Sequence, residues 1–152
     1  MTTSDVYDAH PDAEVCELQL RSYGAVASFS GPIATVRCFE DNVLVRKTLS
    51  TAGEGRVLVV DAGGSSRCAL VGEKVASLAR DNGWAGIVLH GCVRDVAELA
   101  ALPVGIKALG SCPRPSGKTG AGEVDVPVRF GNATFAPGAT LHADDDGIVV
   151  VA

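Results

Sequence analysis

No apolar run in this sequence approaches the roughly 18 to 20 residues that a membrane-spanning helix needs, which excludes a helical membrane protein. The opening Met1-Thr2-Thr3-Ser4-Asp5 has neither a basic stretch nor an apolar core. No secretory signal is therefore expected, and the cytoplasm is the expected compartment. Positive charge is in deficit: 13 Lys and Arg stand against 18 Asp and Glu, a formal charge of -5. That is the wrong sign for wrapping a phosphate backbone, so no direct nucleic-acid partner is expected. Cysteine is present, but Cys16, Cys38, Cys68, Cys92 and Cys112 are scattered and form no C-x-x-C pair. They read as reduced residues, most of them small and buried. His10, His90 and His142 fall in no H-x-x-x-H or Cys/His arrangement, which leaves a zinc site without support. Repeats and low-complexity tracts are also missing.

What remains is an ordinary globular composition, 47% hydrophobic and 20% charged, in 152 residues, which fits one domain over 1–152. Gly and Pro divide it into short segments. From Ser4 to about Tyr23 polar and apolar residues mix at helical spacing, with Pro11 breaking the stretch into two short pieces. Ile33 to Phe39 reads as a strand and Asn42 to Leu49 as a helix. Arg56 to Val60 (RVLVV) is a continuous apolar run, the mark of a strand covered on both faces. Val71, Val75, Leu78 and Ala79 predict an amphipathic helix ending near Asp81-Asn82-Gly83. Trp84 to Leu89 is the next buried strand, closed by Gly91. Val96, Leu99, Ala100 and Leu102 mark another helix, and Val104 to Leu109 a third strand. Short strands follow at Val126–Arg129, Ala133–Phe135, Thr140–His142 and Ile148–Val151. The class is α/β: a β-α-β-α-β core with an added run of strands.

Three familiar motifs fail. Gly117-Lys118-Thr119 lacks the glycine of a phosphate loop five residues before Gly117, where Cys112 stands, so it reads as a flexible loop. Val57 to Gly64 (VLVVDAGG) lacks the third spaced glycine of a nucleotide or S-adenosylmethionine site and reads as a tight turn. Asp144-Asp145-Asp146-Gly147 lacks the later glutamate of a calcium loop and reads as a solvated turn between strands.

One constellation survives. Gly72-Glu73-Lys74-Val75 is followed, after one helix and one strand, by His90-Gly91-Cys92-Val93-Arg94-Asp95. A helix of about eleven residues covers about 16 Å and a strand of about six covers about 20 Å, so the chain climbs and returns to the same sheet edge. Glu73, Arg94 and Asp95 are thereby predicted to be neighbours at the edge where open α/β sheets gather ligands and helix N-termini present free N–H donors. Arg94 offers a fork for a carboxylate, Asp95 a hard oxygen for Mg2+ or Mn2+, and Glu73 a carboxylate able to hold a metal-bound water. Together they suit a small 2-oxo acid. The plainer alternative is a surface pair, with acidic residues favoured in a first helical turn by the dipole.

The string ALVGEKVASLARDNGWAGIVLHGCVRD, preceded by SFSGPIATVRCFEDN and followed by VPVRFGNATFAPGATLHADDDGIVVV, closely resembles the RraA-like proteins over nearly the whole chain. These comprise the regulator of ribonuclease E activity and the class II 4-hydroxy-4-methyl-2-oxoglutarate and 4-carboxy-4-hydroxy-2-oxoadipate aldolases. The resemblance implies a swivelling β/β/α sandwich assembled as a homotrimer with sites between subunits. It implies substrate-carboxylate binding by Arg94, ligation of Mg2+ or Mn2+ by Asp95, and substrate binding by the backbone N–H groups of Gly72, Glu73, Lys74 and Val75. Glu73 stands where the aldolases carry Asp, and the sequence lacks their C-terminal extension. Because the regulator lacks the metal-binding Asp, Asp95 favours a metal-dependent aldolase with oxaloacetate decarboxylase activity. A non-catalytic inhibitor of ribonuclease E is the rival. A Schiff-base aldolase on Lys74 requires a buried amine, whereas a lysine in an opening helical turn is expected to be solvated. His90, ending a buried-looking strand, reads as a satisfied or surface histidine and not a general base. Nothing near Cys92 marks it as a nucleophile.

Overall fold

The computed structural model describes all of residues 1–152. In chain order its elements are α1 (Thr3–Ala9), β1 (Glu14–Val15), β2 (Arg21–Ser22), β3 (Phe29–Arg37), α2 (Val43–Leu49), β4 (Val57–Asp61) and β5 (Ala69–Val71). There follow α3 (Glu73–Asp81), β6 (Gly86–Val93), α4 (Val96–Leu99), β7 (Gly105–Ser111), β8 (Glu123–Val124), β9 (Val128–Phe130), β10 (Ala133–Phe135), β11 (Thr140–Asp144) and β12 (Gly147–Val151). One sheet runs β1-β12-β11-β3-β4-β6-β7-β2, with β5 and β8 as side branches, and β9-β10 form a separate hairpin. Its centre, β3-β4-β6-β7, is parallel, and its β1-β12-β11 wing is antiparallel.

The apolar run of β4 shows how the layers arise. Side chains alternate across a strand, so Leu58 and Val60 enter one core while Val57 and Val59 enter another, and all four are fully buried. Strand β6 repeats the division, with Ile87 and Leu89 on the first side and Val88 on the second. Helices α2, α3 and α4 close the first core through Val45, Leu49, Val75, Ala76, Ala79 and Leu99. The second lies under the hairpin and the antiparallel wing, which contribute Val128, Phe130, Phe135, Leu141, Ile148 and Val150. A β layer, the parallel sheet and a helical layer are therefore stacked in that order, the β/β/α arrangement expected.

The structure departs from the sequence reading at four places. Only the first N-terminal piece is helical: Thr2 and Asp5 form a reciprocal capping box at α1. After Pro11 the chain is extended, because Glu14–Val15 and Arg21–Ser22 satisfy their backbone groups on the sheet edges at β12 and β7. Val71 belongs to β5 and not to the helix, which begins at Glu73. Helix α4 is a single turn. Finally, Gly91 does not close β6, which continues to Val93. A side chain at Gly91 would meet the Ala62 methyl at 3.0 Å, so glycine lets β6 pass closely beneath the departing end of β4.

The Asp144–Gly147 turn, which the sequence reads as merely solvated, is tied to the N-terminus. Asp144 accepts from the Thr3 N–H at 2.8 Å and the Thr3 hydroxyl at 2.7 Å, and Asp146 accepts from the Ser4 hydroxyl at 3.1 Å.

The Phe29 ring lies directly on Gly105 and Gly86, where an added Cβ would sit 2.1 and 2.5 Å from ring carbons. Gly105→Ala is expected to lower unfolding free energy by about 1–3 kcal/mol through overpacking. Urea denaturation checks this; an unchanged midpoint would show that the ring moves freely.

Candidate active site

The site is built by a handover along β6. Strand β4 pairs with β6 as far as Asp61 opposite His90, then leaves. The chain loops through 62–68 and returns as β5, which takes the vacated place beside Cys92 and Val93. Because β5 and β6 are parallel, both end at the same edge, and the Arg94 N–H donates to the Val71 carbonyl at 2.9 Å. Gly72 is the N-cap of α3 and Asp95 the N-cap of α4, so the two turns face each other.

Asp95 joins them. Its backbone is left-handed, φ 63° and ψ 44°, a conformation that Asp and Asn tolerate better than other L residues. Its carboxylate does not cap α4; Oδ2 accepts from the Glu73 N–H at 2.9 Å and caps α3 instead. The next two α3 amides, of Lys74 and Val75, lie in the first turn, where no helical carbonyl can reach them. Gly72 permits this closeness: a Cβ there would meet Asp95 Oδ2 at 2.7 Å and Arg94 Cγ at 3.2 Å.

These residues open onto a cavity of about 280 Å3. All six residues predicted for the site, Gly72, Glu73, Lys74, Val75, Arg94 and Asp95, line it. So do Asn42, Arg46, Pro115 and Lys118, which the sequence reading missed. Their signal was present but divided: Asn42 stands at the start of a predicted helix, and Gly117-Lys118-Thr119 read only as a flexible loop. In the structure that loop is tethered, with the Lys118 amine 2.8 Å from Asn42 Oδ1. Arg46, Lys74, Arg94 and Lys118 outnumber Glu73 and Asp95, so the cavity is cationic on a chain of charge -5. A cleft with that balance of charge favours negative ions over positive ones.

Other readings of nearby residues are resolved by the fold. Lys74 is exposed, as expected. His90 is outside the cavity lining; its Nδ1 lies 3.1 Å from Asp61 Oδ1, and its ring stacks on Phe130 at 4.7 Å between centroids. The His90 hydrogen bond, aided by the Gly63 N–H, holds the Asp61 carboxyl below its ordinary range. Burial raises the Cys92 and Cys68 thiols and pushes Cys38 up to about 12, so none of these is poised as a thiolate.

The fold and cleft define an α/β protein with a cationic cleft where β5 and β6 end against a helix N-terminus. The family pattern described as RraA-like (Aldolase/RraA) matches residues 3–150, and the chain belongs to the RraA-like family. Among solved structures it is similar to one titled S-adenosylmethionine: 2-dimethylmenaquinone methyltransferase from Geobacillus kaustophilus, with 51% identity and a TM-score of 0.98 over 99% of this chain and 94% of that one. It is also similar to the RNA-processing inhibitor RraA from Thermus thermophilis, with 46% identity and a TM-score of 0.97 over 99% and 92% of the two chains. A Streptomyces coelicolor member of the RNase ES inhibitor RraA protein family matches at 27% identity and TM-score 0.82, over 99% of this chain and 80% of its own.

The Asp95 bridge predicts a graded stability series. Asp95→Ala loses both the left-handed tolerance and the cap and is expected to cost about 1–2 kcal/mol. Asp95→Asn keeps both and is expected to unfold within about 0.5 kcal/mol of the parent. Equal urea midpoints for the two variants would show that the bridge holds nothing.

Proposed function

We propose that the protein is a divalent-metal-dependent lyase that cleaves 4-hydroxy-4-methyl-2-oxoglutarate to two molecules of pyruvate, with oxaloacetate decarboxylation as a side activity. The observation that carries this reading is the convergence, in one cationic cavity, of Arg94, the Lys74 and Val75 N–H groups and the Asp95 carboxylate, whose Oδ1 is left free by the bond to Glu73.

The donor set fits a hard cation. No three His, Cys, Asp or Glu side chains converge on one point, so there is no all-protein cage. One or two carboxylates completed by water and substrate oxygens suit Mg2+ or Mn2+. Asp95 would hold the ion and Glu73, across the same cavity, a water. When bound, the ion supplies positive charge that polarises the 2-oxo group and offsets the developing enolate.

The chain's own residues do the rest. Arg94 clamps the C1 carboxylate in two places, and the α3 N–H groups add donors to the same anion. Glu73 orients a water that accepts the proton of the C4 hydroxyl. The C3–C4 bond then breaks, its electrons pass into the 2-oxo group, and a proton returned to C3 completes the first pyruvate; the second leaves from C4. Oxaloacetate follows the same path with carbon dioxide as leaving group. The excess of cations over carboxylates suits these dicarboxylates. By family resemblance the lyase is a homotrimer with sites between subunits.

A second reading, a binding protein that inhibits ribonuclease E, is favoured by the likeness to the Thermus inhibitor and by charge placement. Residues 1–20 carry Asp5, Asp8, Asp12, Glu14 and Glu17, residues 138–152 carry Asp144, Asp145 and Asp146, and neither stretch has a Lys or Arg. These segments meet where Thr3 and Ser4 bond to the β11–β12 turn, giving an acidic end suited to a basic segment. The methyltransferase name borne by the Geobacillus relative finds less support. The Ala62-Gly63-Gly64 turn is bonded down onto the His90 carbonyl and leads into β5, not into a helix N-terminus that would receive a nucleotide.

Pyruvate release from both substrates is expected with Mg2+, to disappear with EDTA, and to fall about 100-fold or more in Asp95→Ala, while Arg94→Ala raises KM. Release that survives chelation or Asp95→Ala sinks the metal role. Strong, salt-sensitive inhibition of ribonuclease E in a preparation that forms no pyruvate selects the second reading.

A further inference from the structure

Asp41 is a buried acid, 4% exposed, that the proposed chemistry does not use. It sits between β3 and α2, and both of its oxygens are filled. Oδ2 accepts from the Thr119 N–H and, at 2.8 Å, from the Thr119 hydroxyl. Oδ1 accepts from the Gly120 N–H at 3.1 Å and the Val43 N–H at 3.2 Å. Three of these four donors belong to the 117–120 loop, a segment with few other anchors. Gly117, Lys118 and Thr119 are exposed, and only Ser116 beside them is buried. The Gly117 N–H donates to the Glu40 carbonyl at 2.8 Å, and the Gly117 carbonyl accepts from the Asn42 N–H at 3.4 Å, which completes the attachment on the same side.

The neighbouring Asn42, 6% exposed, transmits that position to the cavity. Its Nδ2 donates to the Leu70 carbonyl at 3.0 Å, which fixes the amide's orientation and turns Oδ1 toward Lys118. The Lys118 amine then donates to Oδ1 at 2.8 Å and lies among the cavity's charged groups. Leu70 is in β5, two residues before Gly72, so the lysine is referenced to the strand that sets the anion-binding turn.

We propose that Asp41 is a positioning residue: its carboxylate clamps the 117–120 loop and thereby holds the Lys118 amine, through Asn42, in the cavity. A carboxylate suits this task and an amide does not. Four donors converge on two acceptor oxygens, and an amide would turn an NH2 group against two of them. Burial opposes the charged form, but the bonds from Thr119, Val43 and Gly120 outweigh it and hold the Asp41 carboxyl below its ordinary 3.8. The clamp is therefore complete above the ordinary carboxylate range and is lost only as pH falls through that lowered value. Its effect on turnover rests on the lyase reading; its effect on the loop does not.

Hydrogen exchange and oxaloacetate kinetics together test the proposal, using Asp41→Asn, Lys118→Ala and the double variant. In Asp41→Asn the Thr119 and Gly120 amides are expected to exchange about tenfold faster or more while β4 and β6 amides keep their protection, the loss of a charge-assisted bond. KM is expected to rise about tenfold with kcat little changed, and the double variant to be no worse than Lys118→Ala, because the two residues act as one unit. Thr119→Val, which removes one donor and leaves the carboxylate, gives a smaller change in the same direction and covers the case in which Asp41→Asn does not fold. Unchanged exchange at Thr119 and Gly120, or kinetic losses that multiply in the double variant, would overturn the proposal. If the parent protein releases no pyruvate, the lyase reading fails and the exchange result alone decides the clamp.

Discussion

One hydrogen bond, from the Glu73 N–H to Asp95 Oδ2, joins the two turns on which the cleft depends. It does two things at once. It satisfies a helix-terminal donor that has no partner within α3, and it stops the Asp95 carboxylate from capping its own helix α4. The cavity lies between these turns, and that bond holds Gly72, Glu73, Arg94 and Asp95 against one another along one side of it. Gly72 is the steric condition for it, since any side chain there would occupy the space of the carboxylate.

The larger architecture delivers the turns to one another. Parallel strands must all end on the same side, and the replacement of β4 by β5 along β6 brings residues about twenty positions apart in sequence into contact. The double burial of β4 and β6 between a helical and a β layer makes this frame stiff. The cavity accordingly lies at the strand ends, where backbone donors are unpaired and side chains can face a ligand.

Much of this was legible in the sequence. The RVLVV run marked a doubly covered strand, and the Gly-Glu-Lys-Val and Arg-Asp strings were placed together because a helix and a strand of known rise connect them. Less was visible where structure depends on pairing with distant segments. Glu14–Val15 and Arg21–Ser22 have no strong strand pattern of their own and are extended because sheet edges receive them. The extension of β6 past Gly91 was hidden because a glycine normally reads as a stop, whereas here it permits a close crossing. Lys118 and Asn42 were missed for a related reason: they are brought together by Asp41, a single acid whose donors come from residues 78 and 79 positions away and from Val43, two residues on.

The left-handed backbone at Asp95 has an evolutionary consequence. Aspartate codons become asparagine or glycine codons by one base change, and both of those residues accept this backbone. A lineage can therefore replace this carboxylate by a neutral residue in one mutational event without distorting the turn. On the proposed lyase reading, such a scaffold is free to drift between chemistry and simple association through that one codon.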